Sequence, residues 1–474
     1  MECEHMTDAA LQNLKDIVGA GAWYVGKDID RYLEDPRGRA HGSAAIVLCP
    51  SDTVTVAKII RFCNENRIGV IPFGGGTGGS LGHIDTSGGQ LLILSLERMK
   101  RIRQISAEDD VIVAEAGVIL ADIQTEADNI GRIFGLSLAS DGSCTIGGNM
   151  ASNAGGIQTL RYGNARDLCL GIEAVMPDGS ILNALQPLRK DNTGYDLRHL
   201  LIGSEGTLGV ITAATLKLAP KPDQDVTMMF AVESPAAALA LLHRLRRDLG
   251  EVVSAFELMS SLGLSLALRH FPDLRDPFKK SYGWYVIADL AFASGLSRGI
   301  EKCLEGIFEK DLVLDGVVSS SNTQSKALWN LRERAFKYNK YEGALYSSDT
   351  SVPLGKIAEF VDQTRAALLL YDPHLRVNFY GHIGDGNIHV NVFPQDGTSK
   401  SEHLDQQPAA ISGIATIIHE ETNTCGGSIS AEHGIGRAKT ATLKQYCDPT
   451  KLAVMRALKK ALDPNNIMNP GAIF

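Results

Sequence analysis

Three observations predict a mixed α and β protein of two or three domains. The chain has 474 residues, and a domain usually takes about 150. Hydrophobic residues make up 44% of it and charged residues 21%, values that allow a real core and argue against disorder. Apolar segments alternate between strand and helix periods with no long coiled-coil or solenoid repeat. The formal net charge of −9 excludes non-specific binding to nucleic acid or an anionic membrane. Apolar runs such as Ala236 to Leu242 stop at His243 and Arg244, too short to span a bilayer. Glu2, Glu4 and Asp8 stand where a targeting peptide would carry basic residues, so a cytoplasmic protein is expected. The eight cysteines, Cys3 to Cys447, contain no CxxC pair and read as reduced thiols.

In the first half, Ser51-Asp52 looks like a helix cap, with Val56, Ile59, Ile60 and Cys63 following at helical spacing. A short strand at Val70-Ile71 leads through Pro72-Phe73 into a glycine run. A strand at Val111 to Ala114 and a helix from about Leu120 repeat the theme, and further strands lie around Ile172 to Met176 and Val210 to Leu218. Lys221-Pro222-Asp223 opens the best linker candidate. Beyond it, strands at Val226, Val252 and Trp284 alternate with helices from Pro235 and around Ile300 to Phe308. That spacing predicts a second domain, an antiparallel sheet with helices on one side. Val377 to Val392 reads as a glycine-turned hairpin, Thr440 to Leu462 as one or two helices, and Asn469-Pro470-Gly471 as a closing turn.

The 48 glycines exceed the average of about 7%, and they cluster. Gly74, Gly76 and Gly79 match GxGxxG, but no helix follows, because Gly82, Gly88 and Gly89 interrupt the next stretch. The context therefore fails the Rossmann test. One alternative is a surface turn; the other is a nest of backbone N–H groups that can approach a pyrophosphate. Gly142 to Gly156, Gly163, and Gly203 to Gly209 favour a long cofactor, since several glycine clusters in one domain are hard to explain as turns alone.

PFGGGTGGSLG, IGGNMASNAGG, RKDNTGYDLRHLLIGSEGTLGVIT and the closing NPG together resemble the vanillyl-alcohol-oxidase / p-cresol-methylhydroxylase class of FAD enzymes. Within that class the chain is similar to the D-lactate and D-2-hydroxyglutarate dehydrogenases, from about Pro50 to the C-terminus. The resemblance implies a two-lobed α+β FAD domain over residues 1–219. It also implies a substrate-binding cap domain over 220–435 and a helical segment over 436–474 that packs back on the FAD domain. FAD would be held by Pro72, Gly74, Gly75, Gly76, Thr77, Gly78, Gly79 and Ser80. Gly142, Thr145, Gly147, Gly148, Ala151, Asn153, Gly155, Gly156, Gly206, Ile211 and Asn469 would complete its site. No histidine precedes His83 in the first glycine loop, so the flavin is expected to be non-covalent.

His382 and His389 flank Gly384-Asp385-Gly386, and a hairpin there brings two imidazoles together, either as metal ligands or as hydrogen-bonded structural residues. Glu432 beside His433 adds a carboxylate and a further imidazole. Two histidines and one carboxylate make an open metal site, zinc first, with manganese, iron or cobalt as other occupants. GHIGDGNIHVN and SAEHGIG resemble the family's metal motif, which implies His382, His389 and Glu432 as ligands and His433 as catalytic base. Arg332 stands on a predicted helix where a solvated face is the plain alternative; a guanidinium also suits bidentate carboxylate binding. By resemblance Arg332 and Asn391 contact substrate. By spacing, Phe336 and Ser347 stand where the D-2-hydroxyglutarate enzymes it resembles usually carry a threonine and a lysine, a departure that favours a shorter or apolar substrate side chain unless Lys337 or Lys340 supplies the charge for a second carboxylate.

The expected activity is oxidation of a D-2-hydroxy acid to its 2-oxo acid, with electrons passed to an electron-transfer flavoprotein, a quinone or a cytochrome. A flavin-free metal- or nucleotide-binding protein that kept the fold is the alternative. A homodimer is the default assembly for such an enzyme.

Overall fold

The computed structural model describes residues 6–89, 91–308 and 312–474; Glu2, Cys3 and Glu4 lie outside them. The chain divides into two compact units, one of residues 1–155, 163–221 and 432–474, the other of 156–162 and 222–431. The sequence boundary expected near 435 therefore falls at Ala431, and a seven-residue piece, 156–162, joins the second unit.

The first unit contains a four-stranded sheet, a five-stranded sheet and a two-stranded ribbon that pairs Ala219–Pro220 with Arg132–Ile133. In the four-stranded sheet, the apolar strands Ile46–Leu48, Leu92–Ser95 and Val70–Phe73 run parallel, with Trp23–Tyr24 antiparallel at the edge. The helix Thr53–Glu65 begins where the Asp52 carboxylate accepts from Thr55 N at 2.8 Å, satisfying one of the first turn's donors. It buries Val56, Ile59, Ile60 and Cys63, the spacing read from the sequence. The five-stranded sheet is antiparallel, in the order Ile102–Ser106, Val111–Glu115, Val210–Lys217, Cys169–Val175, Ile181–Ala184. Residues 432–474 belong to this unit: Val70 N donates to Ile467 O at 2.7 Å, and Asn469 N donates to Val70 O at 2.8 Å.

Ile146–Ser152 of the glycine-rich segment is a helix, and Asn153 ends it with φ +51°, a left-handed position that asparagine tolerates better than most residues.

The second unit is built on one antiparallel sheet. Its strands follow the order Asp315–Val318, Gln224–Val232, Trp284–Phe292, Val253–Ser260, Arg376–Gly381, Asn387–Phe393, Tyr346–Ser347. Alternation along each strand feeds two cores. Met228, Phe230, Phe256, Leu258 and Val286 pack with the helices Pro235–Leu249, Ile357–Tyr371 and Ala410–Thr424. Met229, Ala231, Met259, Tyr285 and Ile287 pack with Ser261–His270 and Asn322–Glu333. Helices thus cover both faces, not one. The reason is visible in Val253–Ser260, buried at every position, as strands covered on both sides must be.

Asp289 lies on the second of these faces, accepting from Thr227 Oγ1 at 2.6 Å and from Trp329 Nε1 at 3.0 Å. Burial pushes its pKa up to about 6, more than these hydrogen bonds pull it down. The folded chain therefore binds this proton more tightly than the unfolded chain, whose value is near 3.8. The resulting penalty grows as pH rises from about 4 and is complete above about 6. Asp289→Asn is expected to raise the urea midpoint more at about pH 7.5 than at about pH 5. Equal shifts at both would contradict the assignment.

Candidate active site

In the first unit, a groove runs between Pro72–Ser80, the helix Ile146–Ser152 with its preceding Cys144-Thr145, and Gly206–Ile211, with His433 and Asn469 along its wall. Its floor is backbone. A Cβ on Gly75 would fall 2.2 Å from Ser143 O and 2.9 Å from Cys144 Cα, so only glycine permits this approach of two chain segments. Thr145 Oγ1, buried on the groove, has no hydrogen-bond partner among the described residues. Such an orphan acceptor or donor suits a ligand that supplies the missing bond. Of the cofactor residues inferred from the sequence, all line this groove except Gly79, Gly142, Asn153, Gly155 and Gly156. Asn153 instead accepts from Arg166 N at 3.0 Å, Gly79 packs against the Arg37 guanidinium, Gly142 is exposed, and Gly156 belongs to the second unit.

Around His433 stand Glu432 and two residues that the sequence gave no reason to select, Arg37 and Glu205. Arg37 Nη2 is 3.2 Å from His433 Nε2, and Glu432 Oε1 is 3.8 Å from the same nitrogen. Glu205 accepts from the amides of Ile435 and Gly436 at 2.8 and 2.7 Å, tying down the loop that follows the histidine. Burial raises the Glu205 pKa against these two amides.

In the second unit, strand register assembles a polar stripe on the sheet face that carries Met259 and Tyr285. Tyr380 pairs with His389, Asn378 with Asn391, and Ser347 with Asn391, and directly opposed residues share a face. Counting two residues back from the Met259–Tyr380 pair puts Glu257 across from His382. The contact is made: Glu257 Oε1 bonds His382 Nδ1. Glu257 Oε2 lies 2.8 Å from Arg332 Nη2, an ion pair by distance without hydrogen-bond alignment. The Tyr380 ring lies 4.5 Å from the same guanidinium. Glu257 is fully buried; burial alone would raise its pKa, but His382 and Arg332 hold it at about 2.

The two hairpin imidazoles are 5.8 Å apart by ring centroid. His389 Nδ1 is 3.3 Å from Ser348 O, an acceptor only, so Nδ1 carries the proton and Nε2 the lone pair. The Glu257 carboxylate imposes the same tautomer on His382. Imidazoles anchored in this way through the remote nitrogen are suited to ligate a metal. Among the described residues, both polar side-chain atoms of Asn391 and the Nε of Arg332 are buried without a hydrogen-bond partner, donors and an acceptor left for a polar ligand.

Ser347 is exposed opposite Asn391. Phe336, on the helix Ala335–Tyr341, is 60% exposed and lies outside the buried stripe. His419 is a core residue whose Nε2 meets Tyr346 Oη at 3.1 Å.

Comparison with known proteins gives the family. The description "FAD linked oxidases, C-terminal domain" matches residues 221–473, and "FAD binding domain" matches residues 44–185. The chain belongs to the FAD-linked oxidase family. Within this family it is similar to proteins named D-2-hydroxyglutarate dehydrogenase. The Xanthomonas citri pv. viticola protein is 34% identical over 99% of this chain and 98% of its own length. The mitochondrial Bos taurus and Arabidopsis thaliana proteins are 39% and 36% identical over 90% of this chain, and 76% and 75% of their own. The fold of this FAD-linked oxidoreductase is similar to that of p-cresol methylhydroxylase with substrate bound, with a TM-score of 0.75 at 17% identity over 98% of this chain and 96% of the other. It is also similar to that of alkyldihydroxyacetonephosphate synthase, at 0.71 and 16% over 99% and 86%. The p-cresol-methylhydroxylase-type architecture expected from the glycine motifs is therefore borne out.

Gly75→Ala is expected to lower flavin content several-fold in the purified protein, read from the ratio of flavin to protein absorbance. Gly78→Ala, whose Cβ would meet nothing closer than 3.9 Å, should still fold and elute as wild type. Full flavin occupancy in the Gly75 variant would show that backbone approach does not build the groove.

Proposed function

We propose that this FAD-linked oxidoreductase oxidises a D-2-hydroxy acid to the 2-oxo acid, with D-2-hydroxyglutarate as the main substrate. The observation that carries this is the buried stripe of the second unit, where Arg332 Nε and the Asn391 amide lack partners beside a pre-oriented histidine pair. A carboxylate next to a hydroxyl satisfies such a set. The family matches set aside the flavin-free alternative.

Gly74–Ser80, Thr145–Gly148 and Gly206–Ile211 would hold FAD non-covalently, and bound there it would supply the two-electron acceptor for the hydrogen on C2. His382, His389 and Glu432 would hold a divalent metal, zinc by preference, which when bound would serve as a Lewis acid for the substrate hydroxyl. The chemistry of the donor set supports that metal: both imidazoles are held through Nδ1, His382 by Glu257 and His389 by Ser348 O, and two imidazoles with one carboxylate suit a divalent ion. Arg332 orients the substrate carboxylate, and Asn391 completes its hydrogen bonds. His433 accepts the hydroxyl proton. Electrons then leave to a non-nicotinamide acceptor, an electron-transfer flavoprotein, quinone or cytochrome. We further infer a cytoplasmic homodimer. Among the described residues no helix is long and apolar enough to cross a membrane, whereas the cattle and Arabidopsis relatives are named mitochondrial.

Substrate choice follows from the edge strand. The relatives' names favour D-2-hydroxyglutarate, but Ser347 puts a hydroxyl opposite Asn391 where a lysine would meet the second carboxylate. Appreciable turnover of D-lactate is therefore expected, and Ser347→Lys should raise the kcat/KM ratio in favour of D-2-hydroxyglutarate.

The direct test is anaerobic addition of D- and L-2-hydroxy acids to the purified protein. The D-acids should bleach the flavin, the L-acids should not, and chelation should stop bleaching while flavin stays bound. Arg332→Lys keeps the charge but loses the fork and is expected to lower kcat/KM about 10–100-fold. His433→Asn should lower kcat by about 10²–10⁴. Undiminished turnover after exhaustive chelation, verified by elemental analysis, would remove the metal from the mechanism.

A further inference from the structure

Glu257 has no part in the reaction described above, yet it is fully buried in a strand whose neighbours Phe256 and Leu258 pack into the opposite core. A buried carboxylate is seldom the most stable solution, because apolar side chains of similar size often do as well or better. Its two oxygens have separate uses. Oε1 receives His382 Nδ1, and Oε2 sits 2.8 Å from Arg332 Nη2. One side chain thus touches both a proposed metal ligand and the proposed carboxylate clamp.

We propose that Glu257 is a positioning residue that sets the metal-binding tautomer of His382 and the orientation of Arg332 at once. The inference rests on the metal and substrate reading given above and deepens it. Held by Oε1, His382 keeps its proton on Nδ1, so Nε2 is the nitrogen whose lone pair a divalent cation would take. Held by Oε2 on one side and by the Tyr380 ring on another, the Arg332 guanidinium keeps Nε, which has no partner among the described residues, for the substrate carboxylate. Metal binding and substrate binding are then coupled through a residue that contacts neither.

The experiment uses full-length, flavin-loaded protein stripped of metal, with zinc affinity measured by competition against a chromophoric chelator. Wild type comes first: failure to bind stoichiometric zinc overturns the metal reading and this proposal with it. Given wild-type binding, Glu257→Gln is expected to weaken zinc affinity about 10–100-fold and to raise KM for D-2-hydroxyglutarate, with flavin content unchanged. Zinc affinity within twofold of wild type in that variant would reduce Glu257 to a counter-ion of Arg332 and defeat the proposal. If the Gln variant does not fold, Glu257→Asp decides. It restores the charge with a shorter reach, so several-fold weaker zinc binding supports the proposal and wild-type affinity overturns it.

Discussion

Taking a carboxylate out of water is among the costlier acts a fold can perform, and it is tolerated only where opposite charge and hydrogen bonds compensate. The second unit of this protein does so in the middle of its sheet. Glu257, closed off by strands on both sides and helices on both faces, is balanced by Arg332 from the helix Asn322–Glu333 and by His382 at the end of the neighbouring strand. Each partner is thereby fixed. The buried stripe that follows, through Tyr380, His389 and Asn391, depends on the same strand register. A one-residue slip would turn every one of these side chains into the opposite, apolar core.

The first unit solves a different problem by removing side chains. Its groove exists because Gly75 lets the 74–76 turn approach Ser143 and Cys144 more closely than any Cβ would permit. Backbone N–H groups exposed in this way suit the phosphates of a large cofactor, and matching of the chain to FAD-linked families accords with that chemistry. The histidine proposed as base lines the same groove. Its loop is held by Glu205, a carboxylate used purely as an acceptor for two amides.

Much of this was legible in the sequence. Helical spacing located Thr53–Glu65 and Pro235–Leu249, the Gly-Asp-Gly turn located the hairpin with its two histidines, and glycine density located the groove. What stayed hidden has a common physical cause. Glu257 is a single charged residue inside an apolar run, and nothing in its neighbours reveals whether it faces solvent or a buried arginine. Glu205, Arg37 and Asp349 act through contacts distant in sequence or through backbone groups, which carry no periodic signal. The second covering layer of helices was also missed, because the strands' continuous burial was read as a one-sided sheet. The helix Ile146–Ser152 carried no signal in the sequence because its two glycines weaken helix propensity, yet the segment buries Ile146 and Met150 and folds as a helix.

In the proposed reaction, the C2–H bond of a D-2-hydroxy acid breaks while the stripe of the second unit holds the substrate. Anaerobic stopped-flow reduction of the flavin by D-2-hydroxyglutarate, protiated or deuterated at C2, tests it most directly. A primary isotope effect on flavin reduction that persists at saturating substrate is predicted. Reduction that is insensitive to C2 deuteration at every substrate concentration, or no reduction by the D-acid at all, would contradict the account.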